Sequence, residues 1–335
     1  MNDLPVAESE QMIPYIKERK KSGVSRIIFL FAIIGIVAAI CITLLKSSGG
    51  NLSGLFGFLG GKESSTTTTA DKETTTSPSE KEDIYDYDIS TLPEGKKAII
   101  PADLSAEKQG KRYTSDIDVS VSDTSAALAK TPTGKTSVLI ICTHPYESYC
   151  NEKLLCYGDD FSAVGGENTV DALARELTVS LLGLGIGAEY LDLGITSAKN
   201  SYSKAKIKIE DYLKKHPDIV YVIDLHRGIE ADSDGNLLSP ITEKDGDIYA
   251  QMSFSVGTEN KSASKSLPSV NTLYEKISER FPSLLMPTQI SEATLNQQLS
   301  PTVITLDIGT CANTYSSAEN TAEFFAFIFA EAVKN

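Results

Sequence analysis

The chain has 335 residues, a formal net charge of −14 and a 41% hydrophobic share. That length admits about two domains, and the acidity excludes a nucleic-acid binder, which needs a basic surface. The five cysteines are too few and too scattered for a disulfide-built fold. Cys41 lies in an apolar N-terminal run, and Cys142 and Cys311 lie in strand-like segments. Cys150 and Cys156 flank a short loop where they could pair, although free or buried thiols are the expected state.

Residues 1–26 read as a cytoplasmic N-terminus. Ile27 to Leu45 (IIFLFAIIGIVAAICITLL) is an uncharged apolar run of about the length that spans a bilayer. Lys17, Arg19, Lys20, Lys21 and Arg26 precede it, and Lys46 follows. The basic flank is expected to stay in the cytoplasm, which puts the C-terminal bulk outside. A cleaved signal peptide is the competing reading, but the run is long for one and no A-x-A-like site follows. Residues 46–83 are rich in Gly, Ser and Thr. They cannot bury enough apolar surface to fold and read as a disordered stalk. Residues 84–134 read as a linker with possible edge strands, because DIDVSVS alternates.

From Lys135 the pattern becomes globular. Ser137–Thr143, Ala188–Leu193, Ile219–Leu225 and Val303–Ile308 read as strands. Asn168–Gly183, Ser201–Lys215, Val270–Phe281 and Ser317–Lys334 carry apolar residues at helical spacing, and Pro217 stops the second helix. Ile248–Val256 alternates. Strands that alternate with helices predict an α/β domain over residues 135–335, with a mixed, largely parallel sheet and helices on both faces.

Ligands of such sheets sit at the carboxyl ends of strands. His144, His226 and Asp307 all fall at or near such ends, and the chain contains only three histidines. His144 and Glu147 form an H-x-x-E turn. With His226 they offer three ligands of the types that hold zinc, leaving one position for water. Asp307 is the candidate general base, and Arg227 is placed to bind a substrate carboxylate or polarise a carbonyl. Asp224 is a candidate partner for His226 from behind. Each residue also has an ordinary reading: a polar strand end for the histidines, a loop acid for Glu147, a cap or turn former for Asp307. Glu167, before a helix, is a rival metal ligand or a helix-terminal charge. His216, before Pro217, reads as a helix cap.

The segments THPYES (Thr143–Ser148), VIDLHR (Val222–Arg227), NQQLSP (Asn296–Pro301) and LDIGT (Leu306–Thr310) together resemble the stage II sporulation protein P family. The resemblance implies a zinc-dependent peptidoglycan hydrolase related in fold to N-acetylmuramoyl-L-alanine amidases. It implies amidase activity with possible endopeptidase activity, acting at the septum during engulfment. Implied partners are stage II sporulation proteins D and M, the peptidoglycan substrate and, through the single pass, the membrane. By motif position His144 and His226 match the family's metal histidines, and Glu147 matches the acid of its first motif. Asp307 stands where the family usually has glutamate, and Gly228 stands where it usually has an acid. Those two departures motivate an alternative, a wall-binding scaffold that keeps the fold without catalysis. A surface adhesin on a Thr-rich stalk is a weaker alternative that predicts no metal.

Overall fold

The computed structural model describes residues 99–114, 128–150, 166–195, 199–259, 262–299 and 302–334. All of them belong to one compact unit, Pro78–Asn335. The apolar run at 27–45, the stalk and the DIDVSVS segment lie outside the described residues. So do Cys41 and Cys156. Among the described residues no helix is long and apolar enough to cross a membrane.

In chain order the elements are β1 (Ile99–Ala102), α1 (Ala106–Gln109), β2 (Tyr113–Thr114), β3 (Val138–Ile141), α2 (Val170–Gly183), β4 (Ala188–Tyr190), α3 (Ser201–Lys215), β5 (Tyr221–Gly228), β6 (Leu237–Lys244), β7 (Asp247–Ala250), β8 (Met252–Gly257), α4 (Ser262–Arg280), β9 (Thr288–Ser291), β10 (Thr302–Thr310) and α5 (Tyr315–Lys334). A seven-stranded sheet runs in the order β2-β9-β8-β10-β5-β3-β4, and β1, β6 and β7 form a smaller one. Strands β4, β3, β5 and β10 are parallel neighbours. The sheet becomes mixed where β8 pairs antiparallel with β10. The segment read as a linker contributes β1 to the small sheet and β2 to the edge of the large one.

The central strands are continuous β-branched and leucine runs because helices cover both faces. On one face, Val138, Ile140, Ile223, Leu306 and Phe254 pack with α2, α4 and α5. On the other, Leu139, Ile141, Val222 and Val303 pack against Ala205 and Ile209 of α3. Toward the carboxyl ends of β5 and β10 the apolar pattern on this second face gives way to Asp224, His226, Thr305 and Asp307. Thr169 starts α2 by accepting a hydrogen bond from the Ala172 amide at 3.1 Å, a sequence-readable N-cap. His216 is the C-cap of α3, as its position before Pro217 suggests.

Several elements depart from the sequence reading, the short polar β9 among them. The alternating run 248–256 is two strands in different sheets, split at Gln251. That side chain is fully buried and joins the Leu104 amide, Asp103 and the Ser283 carbonyl. Strand β6 escaped notice because Pro240 interrupts a polar segment, which reads as non-strand. Helix α4 begins at Ser262, ahead of the expected Val270, and runs through Pro268. Cys150 is disulfide-bonded, against the expected free thiol, whereas Cys142 and Cys311 are free and buried.

Candidate metal centre

Thr143 and His144 follow the end of β3, and the turn there is held from two sides. The buried Asp224 of β5 accepts from the Thr143 amide at 2.9 Å and from its hydroxyl at 2.6 Å. The entrance to α2 holds the other side: Val170 donates its amide to the Glu147 carbonyl at 2.8 Å, and Tyr149 donates to the Asn168 carbonyl at 2.8 Å. Asn168 takes the left-handed conformation that asparagine tolerates. The turn closes on itself through the Glu147 amide and the His144 carbonyl, 3.1 Å apart.

This frame brings together His144, Glu147 and His226. Each offers a ligand atom, and these atoms lie within 4.8 Å of one another. The two Nδ1 atoms face the two oxygens of one carboxylate: His144 Nδ1 is 3.4 Å from Glu147 Oε1, and His226 Nδ1 is 3.7 Å from Oε2. The far nitrogens also have oxygen neighbours. His144 Nε2 is 2.7 Å from Ser201 Oγ, and His226 Nε2 is 3.2 Å from Asp224 Oδ1. Ring centroids of the two histidines are 5.0 Å apart. Tyr202 stacks on His226 and meets His144 edge-on. Both imidazoles are 4% exposed, so their orientation is set by packing. Two imidazole nitrogens and a carboxylate are the donor set zinc takes. The residues present fit the metal.

Electrostatics match that geometry. Burial works against a charged Glu147, but hydrogen bonds from His144 and His226, with the charges of His226 and Arg227, hold its pKa far below the usual carboxylate range. Burial likewise opposes a charged His226. Asp224 and Glu147 outweigh it and raise the imidazole well above its ordinary value. Asp307 moves upward through burial, reinforced by Glu147 and Asp224 and opposed by His226 and a hydrogen bond from Ser255.

Asp307 is the register partner of His226 on the neighbouring parallel strand, so both side chains project from the same face. Its Oδ2 accepts from Ser255 Oγ at 2.6 Å, and the side chain is half-buried. Beyond it the strand register shifts between Asp307 and Thr310. The bulge needs Gly309, whose φ is +61° and whose missing Cβ would stand 2.8 Å from Asn313 Oδ1.

Two candidates change role. Arg227 alternates to the opposite face from His226 and is 4% exposed. Its Nε donates to the Ser148 carbonyl at 3.0 Å, its Nη1 to the Gly228 carbonyl at 3.3 Å, and its backbone amide to Glu147 Oε2 at 3.2 Å. The guanidinium thus braces the H-x-x-E turn against β5. Glu167 is exposed and stands apart from the His144–Glu147–His226 group, so Glu147 is the carboxylate of the cluster.

Several positioning residues were not legible. Ser201 and Tyr202 look like ordinary helix-start residues. Tyr149 hides its purpose in a loop, yet its hydroxyl donates to the Ile308 carbonyl at 2.9 Å, next to Asp307. Gln297, in the NQQLSP segment, accepts from the Gly257 amide at 2.9 Å. Its Nε2 donates to the Ser255 carbonyl and Thr305 Oγ1 at 2.7 and 2.8 Å. It thereby sets the junction of β8 and β10 beside Asp307. Only the motif itself pointed to it.

Comparison with solved structures gives similar chains at low identity. The catalytic domain of the CD27L endolysin targeting Clostridia difficile is 12% identical, covering 59% of this chain and 96% of that one at a TM-score of 0.36. The CwlD amidase from Clostridioides difficile, solved in complex with the GerS lipoprotein, is 10% identical over 59% and 94% at 0.35. An N-acetylmuramoyl-L-alanine amidase from Clostridium difficile 630 is 14% identical over 60% and 94% at 0.33. Scores this low carry no weight by themselves. No curated protein matches the sequence. The match to a family is extensive, spanning residues 52–330. The chain belongs to the stage II sporulation protein P (SpoIIP) family.

Proposed function

We propose that this protein is a membrane-anchored, zinc-dependent peptidoglycan hydrolase of sporulation, an N-acetylmuramoyl-L-alanine amidase with additional endopeptidase capacity. Its family membership supports the setting. The observation that carries the chemistry is the convergence of the His144 and His226 Nδ1 atoms on the Glu147 carboxylate. His144, Glu147 and His226 would hold the zinc. When bound, zinc supplies Lewis acidity and a water whose pKa is lowered to about 7.

The chain's own residues then divide the remaining work. Asp307, on the same face as His226, accepts the proton of the attacking water and returns it to the leaving amine nitrogen. Its raised pKa suits a group that must both take and give that proton near neutral pH. Ser255 orients the carboxyl from the next strand. Asp224 keeps His226 in position, and Arg227 keeps Glu147 in position, each through buried polar contacts. The run 27–45 would anchor the protein with its N-terminus cytoplasmic and the catalytic unit in the septal, extracytoplasmic space. There it would work with stage II sporulation proteins D and M.

The test is product analysis of purified sacculi incubated with the zinc-loaded protein. New alanine amino termini on released stem peptides support the amidase. Opened cross-links support the endopeptidase. Silence of a protein that retains zinc favours the scaffold reading, which the shorter Asp307 motivates.

A further inference from the structure

The hydroxyl of Ser201 lies 2.7 Å from His144 Nε2. Ser201 is 1% exposed and is the first residue of α3, which starts 57 residues beyond His144 in the chain. Serine at a helix start ordinarily serves the helix end. Here the N-cap residue is Asn200, in the left-handed conformation and without a side-chain capping bond. The Ser201 hydroxyl is instead directed at the imidazole.

The helix start is itself tied down. Asn296, 3% exposed and at φ +55°, donates Nδ2–H to the Tyr202 carbonyl at 3.0 Å. The Tyr202 ring lies against both histidines, with centroids 5.4 and 6.1 Å away. The loop before β10 thus positions α3, and α3 positions Ser201 and Tyr202.

A metal-ligating imidazole needs its second nitrogen held by an acceptor, which sets both the tautomer and the ring plane. His226 has Asp224 for this, and for His144 the hydroxyl occupies the corresponding place. We propose that Ser201 is the positioning residue of His144. It accepts Nε2–H and keeps Nδ1 turned toward Glu147 and the zinc. The neutral hydroxyl against the anionic Asp224 makes the two histidines unequal donors. This inference rests on reading His144, Glu147 and His226 as a zinc site.

The experiment measures zinc affinity of the full chain by competition with a chromophoric chelator, for the native protein and for Ser201→Ala and Ser201→Thr. The cobalt(II)-loaded absorption spectrum is recorded in parallel. Loss of such an outer contact typically weakens metal binding 10–100-fold. Ser201→Ala is expected to show that loss and an altered cobalt spectrum. Ser201→Thr, which keeps the hydroxyl, is expected to bind like the native chain. Unfolding of the metal-free variants shows whether the alanine chain is folded. If it is not, Ser201→Cys, which keeps the side-chain volume with a weaker acceptor, takes its place and is expected to weaken binding. Native-like affinity and spectrum in a folded Ser201→Ala or Ser201→Cys chain overturn the proposal alone. A native chain that binds no zinc overturns the metal reading and this proposal with it.

Discussion

Asp224 stands behind His226, its Oδ1 3.2 Å from Nε2, while the same carboxylate binds the Thr143 amide and hydroxyl. One fully buried side chain thus joins the end of β3 to the second histidine and sets the distance between the halves of the metal site. Asp224→Asn preserves the shape but removes the charge and one acceptor. It is expected to lower zinc affinity 10–100-fold. Asp224→Ala also strands the buried Thr143 groups and is expected to cost about 1–3 kcal/mol of stability. Chelator competition and urea unfolding check the two effects separately.

Arg227 gives a contrasting prediction. Its guanidinium is bound to backbone carbonyls and is buried, so Arg227→Ala should act on folding and on the Glu147 turn. A loss of about 3 kcal/mol in urea unfolding is expected. A variant that folded normally and lost only substrate affinity, read as KM, would restore a substrate-binding role.

The metal-free domain should show a narrow stability optimum in pH. Glu147 is held below its ordinary value of 4.5, so its contribution is present above that value and is lost as pH falls through the folded pKa. His226 is raised above its ordinary 6.5, so its contribution is present below that value and is lost as pH rises through the folded pKa. The two contributions overlap between about pH 4.5 and 6.5. Zinc must displace the proton of His226, so zinc affinity should climb with pH through the range where that imidazole titrates. Urea midpoints against pH in chelator, compared with His226→Ala, test the first point, and pH-dependent zinc titration tests the second.

Gly309 lies two residues beyond the candidate base, in the bulge of β10. An alanine there would adopt φ +61° and press its Cβ to 2.8 Å from Asn313 Oδ1 and 3.0 Å from Ala250 Cβ. Gly309→Ala is expected to destabilise by about 1–3 kcal/mol and to lower turnover by displacing Asp307. Thermal unfolding and hydrolysis rates check both.

The fold was readable where burial is complete. A strand such as VLII is apolar throughout because helices cover both faces, and the helices between the strands carry clear periodicity. Strands β6 and β9 are short, polar or proline-broken, and they gain their order from pairing with distant strands, which local patterns do not encode. The same division holds at the site. His144, Glu147 and His226 stood out as rare or well-spaced residues at strand ends. Ser201 and Tyr149 act through contacts with residues 57 and 159 positions away, and Tyr202 lies against both histidines. Adjacency to His226 in sequence places the Arg227 side chain on the opposite face of the strand, and its contacts with the Ser148 and Gly228 carbonyls come from pairings the local pattern does not encode.

Hydrolysis of purified sacculi by the native chain and by Asp307→Asn, both with zinc content measured, separates a zinc hydrolase that uses Asp307 from a silent scaffold. Stem-peptide release by the native protein, its loss in chelator, and a fall of about 10²–10⁴-fold in Asp307→Asn with zinc retained are expected. Native-like release by Asp307→Asn, or no release by a native chain that holds its zinc, would contradict the hydrolase reading.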